Sequence, residues 1–443
     1  MSDPQFILGL TQRGHPLRLS RVQARNHIYI TGKSGTGKSS LLFNLAEAEM
    51  CSGGGLLFID PHGDTAQKLA DAVPPFRRAD VIYFDPLDSH VVGFNPLLRV
   101  EPLHRGTLAA RIVEAFHNIW VDSWGPRLDY TLTNAIRLLL ENSGTSLIDI
   151  PKLLVDEKFR AKLLLNCSDP YIHAYWVKEY GGYSDRLRAE VIAPIQNKVG
   201  QFANNPILRD IVGGRNAIDP RKIMDEGRVL ICNLSKRMGE EPSRLLGALL
   251  VTAFAQAAES RGDMPEDQRR DFTLYVDEFQ TYANNAFATI LSESRKYRLS
   301  LVTANQFLGQ VPEQLRFAII GNVGTMVAFR VGAYDAPLLS RELGVGEDNL
   351  INLPNFTARV KRINDGSPTE AEYISTLQPD PKFGGRFEAV LSHSRSRFAR
   401  QRITFLSKNK ISKSRSYGGL AQHRFDIQQT IWNCQNAPFD FAQ

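Results

Sequence analysis

The stretch ITGKSGTGKSS, residues 30–40, restricts what this chain can become more than any other. It fits the pattern GxxxxGK followed by Ser or Thr through Gly32, Gly37, Lys38 and Ser39. The apolar HIYI before it reads as a strand and SSLLFNLAEAEM after it as a helix, so the loop sits at a strand-to-helix turn. In that setting the backbone of Gly32, Lys33, Ser34, Gly35, Thr36, Gly37, Lys38, Ser39 and Ser40 wraps a phosphate chain at the positive end of a helix. Lys38 then pairs with the β and γ phosphates and Ser39 ligates Mg²⁺. ATP and Mg²⁺ are the expected cofactors; a glycine turn that holds no nucleotide is the plain alternative.

Hydrolysis of a phosphate chain needs one carboxylate near the metal and a second to polarise the attacking water. Two strand-like stretches end in aspartate. GLLFIDPHGD places Asp60 before Pro61, His62 and Gly63, whereas FTLYVDEFQTYA places Asp277 directly before Glu278. Only the second supplies both groups at one strand tip. The chain resembles the additional-strand class of P-loop NTPases. There a later strand lies between the P-loop strand and the strand after its helix, and that later strand carries the metal-binding aspartate. The resemblance implies that Asp277 serves Mg²⁺, that Glu278 is the general base, and that Asp60 and His62 have a structural or interface role. An exposed acidic strand end is the plain alternative.

Further on, LSLVTANQ reads as a strand with Gln306 at its polar tip, where a neutral donor and acceptor holds the water or senses hydrolysis. The alternative is a capping or surface glutamine. Between the two strands, NNAFATILSESRKYR carries Phe287, Ile290 and Leu291 at helical spacing. A helix that starts at the ligand end of the sheet and rises about 1.5 Å per residue puts Arg295 roughly 15 Å from its own γ-phosphate. It can therefore act only on a neighbour's nucleotide, as an arginine finger in trans, or else it complements the helix dipole.

A length of 443 residues, 43% apolar and 23% charged, suits a core-forming chain of two packed domains or one large domain with an insertion. Strand patterns (HIYITG, GLLFID, DVIYFD) give way to helical periodicity over 102–225 and then resume as RVLICNL, FTLYVDE, LSLVTA and TMVAFR. The expected fold class is α/β, a RecA-like P-loop NTPase of the additional-strand class with a mostly parallel sheet. Residues 1–101 and 226–381 form the two parts of the motor domain, 102–225 an inserted all-helical domain, and 382–443 a basic tail. That tail carries eleven Lys or Arg against three acidic residues, in a chain whose net charge is +6. It suits phosphate backbones or an acidic partner, or is simply solvated. The longest near-apolar run, Leu245 to Ala258, falls short of the roughly 18 residues that a membrane-spanning helix needs. MSDPQFILGL lacks the marks of a secretory signal, and the four cysteines lack metal-ligand spacing. The expected location is cytoplasmic, peripheral at the inner face of the membrane only through a partner.

Together with SWGPRLDYTLTNAIRLLLE, PIQNKVGQF, RVLICNLSKRMGEE, SESRKYRLSLVTANQ and GNVGTMVAFRVGAYDA, these stretches resemble the HerA and FtsK superfamily of ring-forming DNA-pumping ATPases, over residues 27 to 335. Within it they are most similar to the TraD-like coupling proteins of conjugation and type IV secretion. The resemblance implies a homo-hexameric DNA translocase that hydrolyses ATP, with 102–225 meeting DNA and a relaxase nucleoprotein complex, and Arg295 as the trans finger. Coupling proteins of this type commonly begin with transmembrane helices, which this chain does not display, so a membrane-bound secretion component is the expected tether. Lys236 and Arg237, after RVLICNL, are candidates to track DNA in a pore, with a solvated turn as the alternative. Arg330, ending TMVAFR, is placed to meet nucleotide or a neighbouring subunit. Two other readings use the same residues: a HerA-like motor for DNA processing or phage defence beside a nuclease, and an ATP-assembled adaptor that recruits a relaxase.

Overall fold

The computed structural model describes residues 6–213 and 217–402. The chain opens with an antiparallel hairpin, β1 (Phe6–Thr11) and β2 (Pro16–Leu19), where the sequence reads FILGL and PLRLS. Next come β3 (Ile28–Thr31), α1 (Lys38–Cys51), β4 (Gly55–Asp60), α2 (Asp64–Asp71) and β5 (Val81–Phe84). A helical region follows, led by α3 (Pro102–His117) and α4 (Pro126–Leu140). Strands resume as β6 (Val229–Asn233), β7 (Phe272–Val276), β8 (Leu299–Asn305) and β9 (Thr325–Ala328). The helices α5 (Glu240–Ser260), α6 (Asn285–Glu293) and α7 (Glu313–Asn322) separate them. The strands β10 (Thr357–Asn364), β11 (Ser367–Pro368) and β12 (Glu372–Ser375), then α8 (Phe387–Phe398), complete it.

The twelve strands named above join one sheet, ordered β2-β1-β12-β10-β9-β3-β8-β7-β4-β6-β5, with β11 pairing β10. From β9 to β5 every pairing is parallel; the β1, β2, β10 and β12 side is antiparallel. The expected later strand, carrying Asp277, is present, and a second lies beside it. Two strands, not one, lie between the P-loop strand β3 and the next strand β4, and the immediate neighbour of β3 is β8, which leads to Gln306. The Asp277 strand β7 is one place further out.

Because the parallel strands are covered on both faces, their side chains are apolar in both directions. In β4, Leu57 and Ile59 face one core and Leu56 and Phe58 the other. The first core joins the sheet to α5 through Leu249 and Phe254, and continues without a break into the helical region through Ile112, Phe116, Leu132 and Ile136. Helix α4 shows why: Pro126 pre-sets its first turn, and Leu128, Leu132, Ala135 and Leu139 recur on one buried face. The second core holds Leu41, Leu42 and Leu45 of α1 and Val390 and Leu391 of α8.

Residues up to Arg400 form one compact unit. The first part of the segment read as a basic tail is thus folded: α8 packs on α2 and β5. Asp71 at the end of α2 accepts the backbone N–H groups of Gly385, Arg386 and Phe387, and Arg395 pairs with Asp88 at 2.8 Å. The Ser394 hydroxyl accepts the N–H of Tyr83 on the outermost strand β5, at 2.8 Å. The remainder of that tail, 403–443, with Lys408, Lys410, Lys413, Arg415 and Arg424, lies outside the described residues.

Helix α5 and the turn after β7 meet closely: a Cβ added at Gly247 would fall 2.3 Å from the buried Tyr282 ring. Gly247→Ala should lower the thermal stability of the protein by about 1–3 kcal/mol, measured by melting, since neither the helix nor the buried Tyr282 turn can yield that distance without strain.

Candidate functional site

The loop after β3 takes its shape from glycine. Gly32, Gly35 and Gly37 have φ of 152°, 74° and 117°, which side chains with a Cβ rarely adopt. Gly32 and Gly37 are also short of space, since a Cβ would come within 2.6 Å of Phe329 and 3.0 Å of Phe356 respectively. Phe356, itself at φ 61°, donates its N–H to Thr36 O at 2.8 Å, and Lys33 N donates to Arg330 O at 2.8 Å. The two phenylalanines thus clamp the loop from the β9–β10 side. The N-cap of α1, Gly37, offers no side-chain acceptor to the first turn, whose N–H groups face the loop as an anion cradle would require. Lys38 is buried, its Nζ donating to Lys33 O at 3.1 Å. Burial pushes its ammonium below the usual lysine range, while Glu278 and Asp277 partly offset the shift.

Ser39 reaches across the strand order to β7. Its hydroxyl donates to Asp277 Oδ2 at 2.8 Å, and the N–H of Glu278 donates to Asp277 Oδ1 at 2.9 Å. A hydroxyl and a carboxylate side by side are the hard oxygen donors that Mg²⁺ accepts while keeping its other positions for water and phosphate. Asp277 is buried, and that desolvation pushes its carboxyl up to about 6. The Ser39 hydroxyl and Lys38 lower it, whereas Glu278 and Asp60 raise it.

Glu278 starts a 3₁₀ turn, Phe279–Tyr282, from a left-handed backbone conformation at φ 46°. Each of its carboxylate oxygens accepts one amide: Gln306 Nε2 at 3.1 Å on Oε1, and Gln280 Nε2 at 2.6 Å on Oε2. Asn305 supports the tip of β8, accepting from the Tyr29 hydroxyl at 2.8 Å and donating to Phe307 O at 2.9 Å. The sequence singles out Lys38, Ser39, Asp277, Glu278 and Gln306, and these five come together. It gives no sign of Gln280, Phe329 or Phe356. The first is indicated only by its place two residues after Glu278; the phenylalanines have no local signal.

Asp60 is fully buried and lies near enough to Asp277 to raise it electrostatically. Its two oxygens accept the N–H groups of His62 at 2.8 Å and Ala66 at 2.9 Å, so it shapes the DPHGD turn into α2. Arg295 lies elsewhere: exposed, its guanidinium donates to Asn26 Oδ1 at 2.8 Å, at the start of β3 rather than at the P-loop end. The neighbouring His27 is buried, and its imidazole is pushed down to about 4 by desolvation and by Arg295. Lys236 and Arg237 are exposed in a turn after β6, at the same edge of the sheet as the loop. Arg330 is engaged within the chain, by Leu353 O and Asn355 Oδ1. A cavity of about 760 Å³ opens beside Ser39 and Ser40, floored by Phe43, Asp64 and Lys68 and bordered by Pro379 and Phe387. A smaller one, about 210 Å³, lies over Lys33 and Ser34 beside Gln306.

The Asp277 shift carries a sign. A carboxyl raised above its unfolded value of about 3.9 stabilises the fold below that value and loses the contribution as pH rises through about 6. At neutral pH the buried charge therefore opposes folding of the nucleotide-free protein. Asp277→Asn should raise the melting temperature of the nucleotide-free protein at pH about 7.5, worth about 2 kcal/mol, with the gain vanishing near pH 4. The same variant should lose Mg²⁺-dependent nucleotide binding. Asp60→Ala should do the reverse, destabilising by about 1–3 kcal/mol through the orphaned N–H groups of Ala66, buried, and His62, partly buried, while leaving Mg²⁺ dependence intact; calorimetry with and without Mg²⁺ nucleotide separates the two.

No protein-family model matches the chain, and no curated protein matches its sequence. Solved structures do match. The unbound bacterial conjugative coupling protein TrwB (TrwBdeltaN70) superposes with a TM-score of 0.62 at 18% identity, covering 86% of this chain and 90% of its own. TrwB in complex with ADP and Mg²⁺ gives 0.62 at 17% identity, covering 86% and 91%. VirB4 of Thermoanaerobacter pseudethanolicus gives 0.59 at 14% identity, covering 85% and 97%. With its glycine loop, its interposed strands and its sheet order, this chain has the RecA-like P-loop NTPase fold that those structures share.

Proposed function

We propose that the protein is an ATPase of the type IV secretion and conjugation kind, a ring-forming coupling protein that uses ATP hydrolysis to drive DNA. The observation that carries this reading is the meeting of Ser39, Asp277, Glu278 and Gln306 in front of a glycine loop clamped by Phe329 and Phe356. Likeness in fold to TrwB, whose structures include complexes with ADP and Mg²⁺ and with non-hydrolysable ATP and GTP analogues, supports it.

In this reading ATP lays its phosphates on the N–H groups of residues 32–40, and Lys38 leaves Lys33 O to pair with them. Its nucleoside fits the open cavity beside Ser40 and Phe43. Mg²⁺, held by Ser39 and Asp277, supplies charge neutralisation at the phosphate oxygens. Glu278 accepts a proton from the attacking water, and Gln306, already bonded to that carboxylate, holds the water in line. The reading also calls for a cation facing the γ-phosphate from the far side. We assign that cation to Arg295 of a neighbouring copy, which lies at the opposite end of β3 from the P-loop, and this is why the reading includes a hexamer. Lys236 and Arg237 share the P-loop edge and are the DNA-tracking candidates. The helical region is the candidate surface for a relaxase complex, and a membrane-bound secretion component is the candidate tether. No helix among the described residues is long and apolar enough to cross a membrane.

The test is ATP turnover by the whole chain with and without DNA. Lys38→Ala and Glu278→Gln should each cut turnover at least about 100-fold, and DNA should stimulate the wild type. Mixing inactive Arg295→Ala with inactive Glu278→Gln subunits should restore measurable activity, because some interfaces in mixed rings are intact. Turnover indifferent to DNA, or a mass distribution that remains monomeric with ATP and DNA present, counts against the motor.

A further inference from the structure

We propose that Gln280 is a positioning residue for Glu278, fixing the direction in which the general base presents its oxygens; the inference rests on the ATPase reading above. A carboxylate on a single-bonded stem turns freely unless something holds its plane, and misdirected acceptor lone pairs cost rate even when the base is present. In this site the plane is held from two sides, by two elements. Gln306 comes from the tip of β8 and bonds Oε1 at 3.1 Å; Gln280 comes from the turn after β7 and bonds Oε2 at 2.6 Å. One acceptor site on each oxygen remains for water.

Three features separate Gln280 from an ordinary turn residue. Its side chain has no other use, because its carbonyl oxygen is buried without a hydrogen-bond partner. A glutamine serving only the fold would engage both ends of its amide. The direction of the amide is settled chemically, since the reverse orientation would set its oxygen against a carboxylate oxygen. Last, the turn it stands on is immobilised: Phe279 and Tyr282 are each 1% exposed, and Tyr282 lies against Gly247 of α5 too closely for a Cβ to fit between them. The left-handed φ of 46° at Glu278 is what brings a side chain two positions later back onto its carboxylate. That conformation is uncommon for a residue with a long side chain, and the buried turn that follows, Phe279 and Tyr282, holds it in place.

The test is steady-state hydrolysis of MgATP by the full chain, with DNA present, for wild type, Gln280→Met, Glu278→Gln and the double variant. Gln280→Met keeps the length and removes the donor. Its kcat should fall about 10- to 100-fold while KM for ATP and the melting temperature stay close to wild type. In the Glu278→Gln background the same change should cost less than about twofold in the residual rate, because there is no longer a base to direct. A second variant, Gln280→Glu, offers Glu278 a donor only when protonated. Relative to wild type it should regain rate as pH falls from about 8 to about 6. An unchanged kcat in Gln280→Met overturns the proposal. So does an equal loss in both backgrounds, which would mark a structural effect. If Gln280→Met does not fold, full activity of Gln280→Glu at about pH 8 overturns it instead. Absence of hydrolysis by the wild type overturns the ATPase reading and this proposal with it, and is recognised before any variant is compared.

Discussion

The hydrogen bond from Ser39 to Asp277 joins the two halves of the site. One partner opens the helix after β3, the other ends β7, and β8 runs between them. The bond can form only if all three strands are in register and their tips level, so it depends on every parallel pairing from β3 to β7. It also pulls a carboxylate into a place with almost no water, where the charge is held by a hydroxyl and a distant ammonium. A fold that tolerates such a group has given up stability at neutral pH for a site that a divalent cation completes.

Much of this was legible in the residues. The glycine loop announces itself, since its spacing and its strand-to-helix setting are local properties. The preference for Asp277 over Asp60 follows from which strand tip carries two carboxylates; in the structure Asp60 accepts two N–H groups of the turn that it closes, whereas Asp277 accepts the Ser39 hydroxyl. The strand between the P-loop and its follower was anticipated, but not that there are two. Sequence order carries no information about which of several late strands lies beside β3.

Other parts were not legible, for a physical reason. Gln280 and Phe356 matter because of a left-handed backbone angle at Glu278 in one case and at Phe356 itself in the other. Neither residue type favours that conformation, so nothing local points to it; surrounding packing imposes it. Likewise the helical region reads as a separate body from its change of periodicity, yet its apolar face is continuous with the face of α5 that covers the sheet. Periodicity reveals that a helix has an apolar side, and is silent about which neighbour receives it.

Helix α8 was read from its charges as part of a solvated or phosphate-seeking arm, and the structure finds it laid along β5. An outermost strand ordinarily displays a row of unpaired donors and acceptors, on which the strand of another molecule can grow. Here Ser394 takes the N–H of Tyr83, and the Phe387 ring stands edge-on to that tyrosine at 5.4 Å. The border of the sheet is therefore already occupied from within. A second copy extending a common sheet across this border would first have to displace α8 and the Ser394 bond.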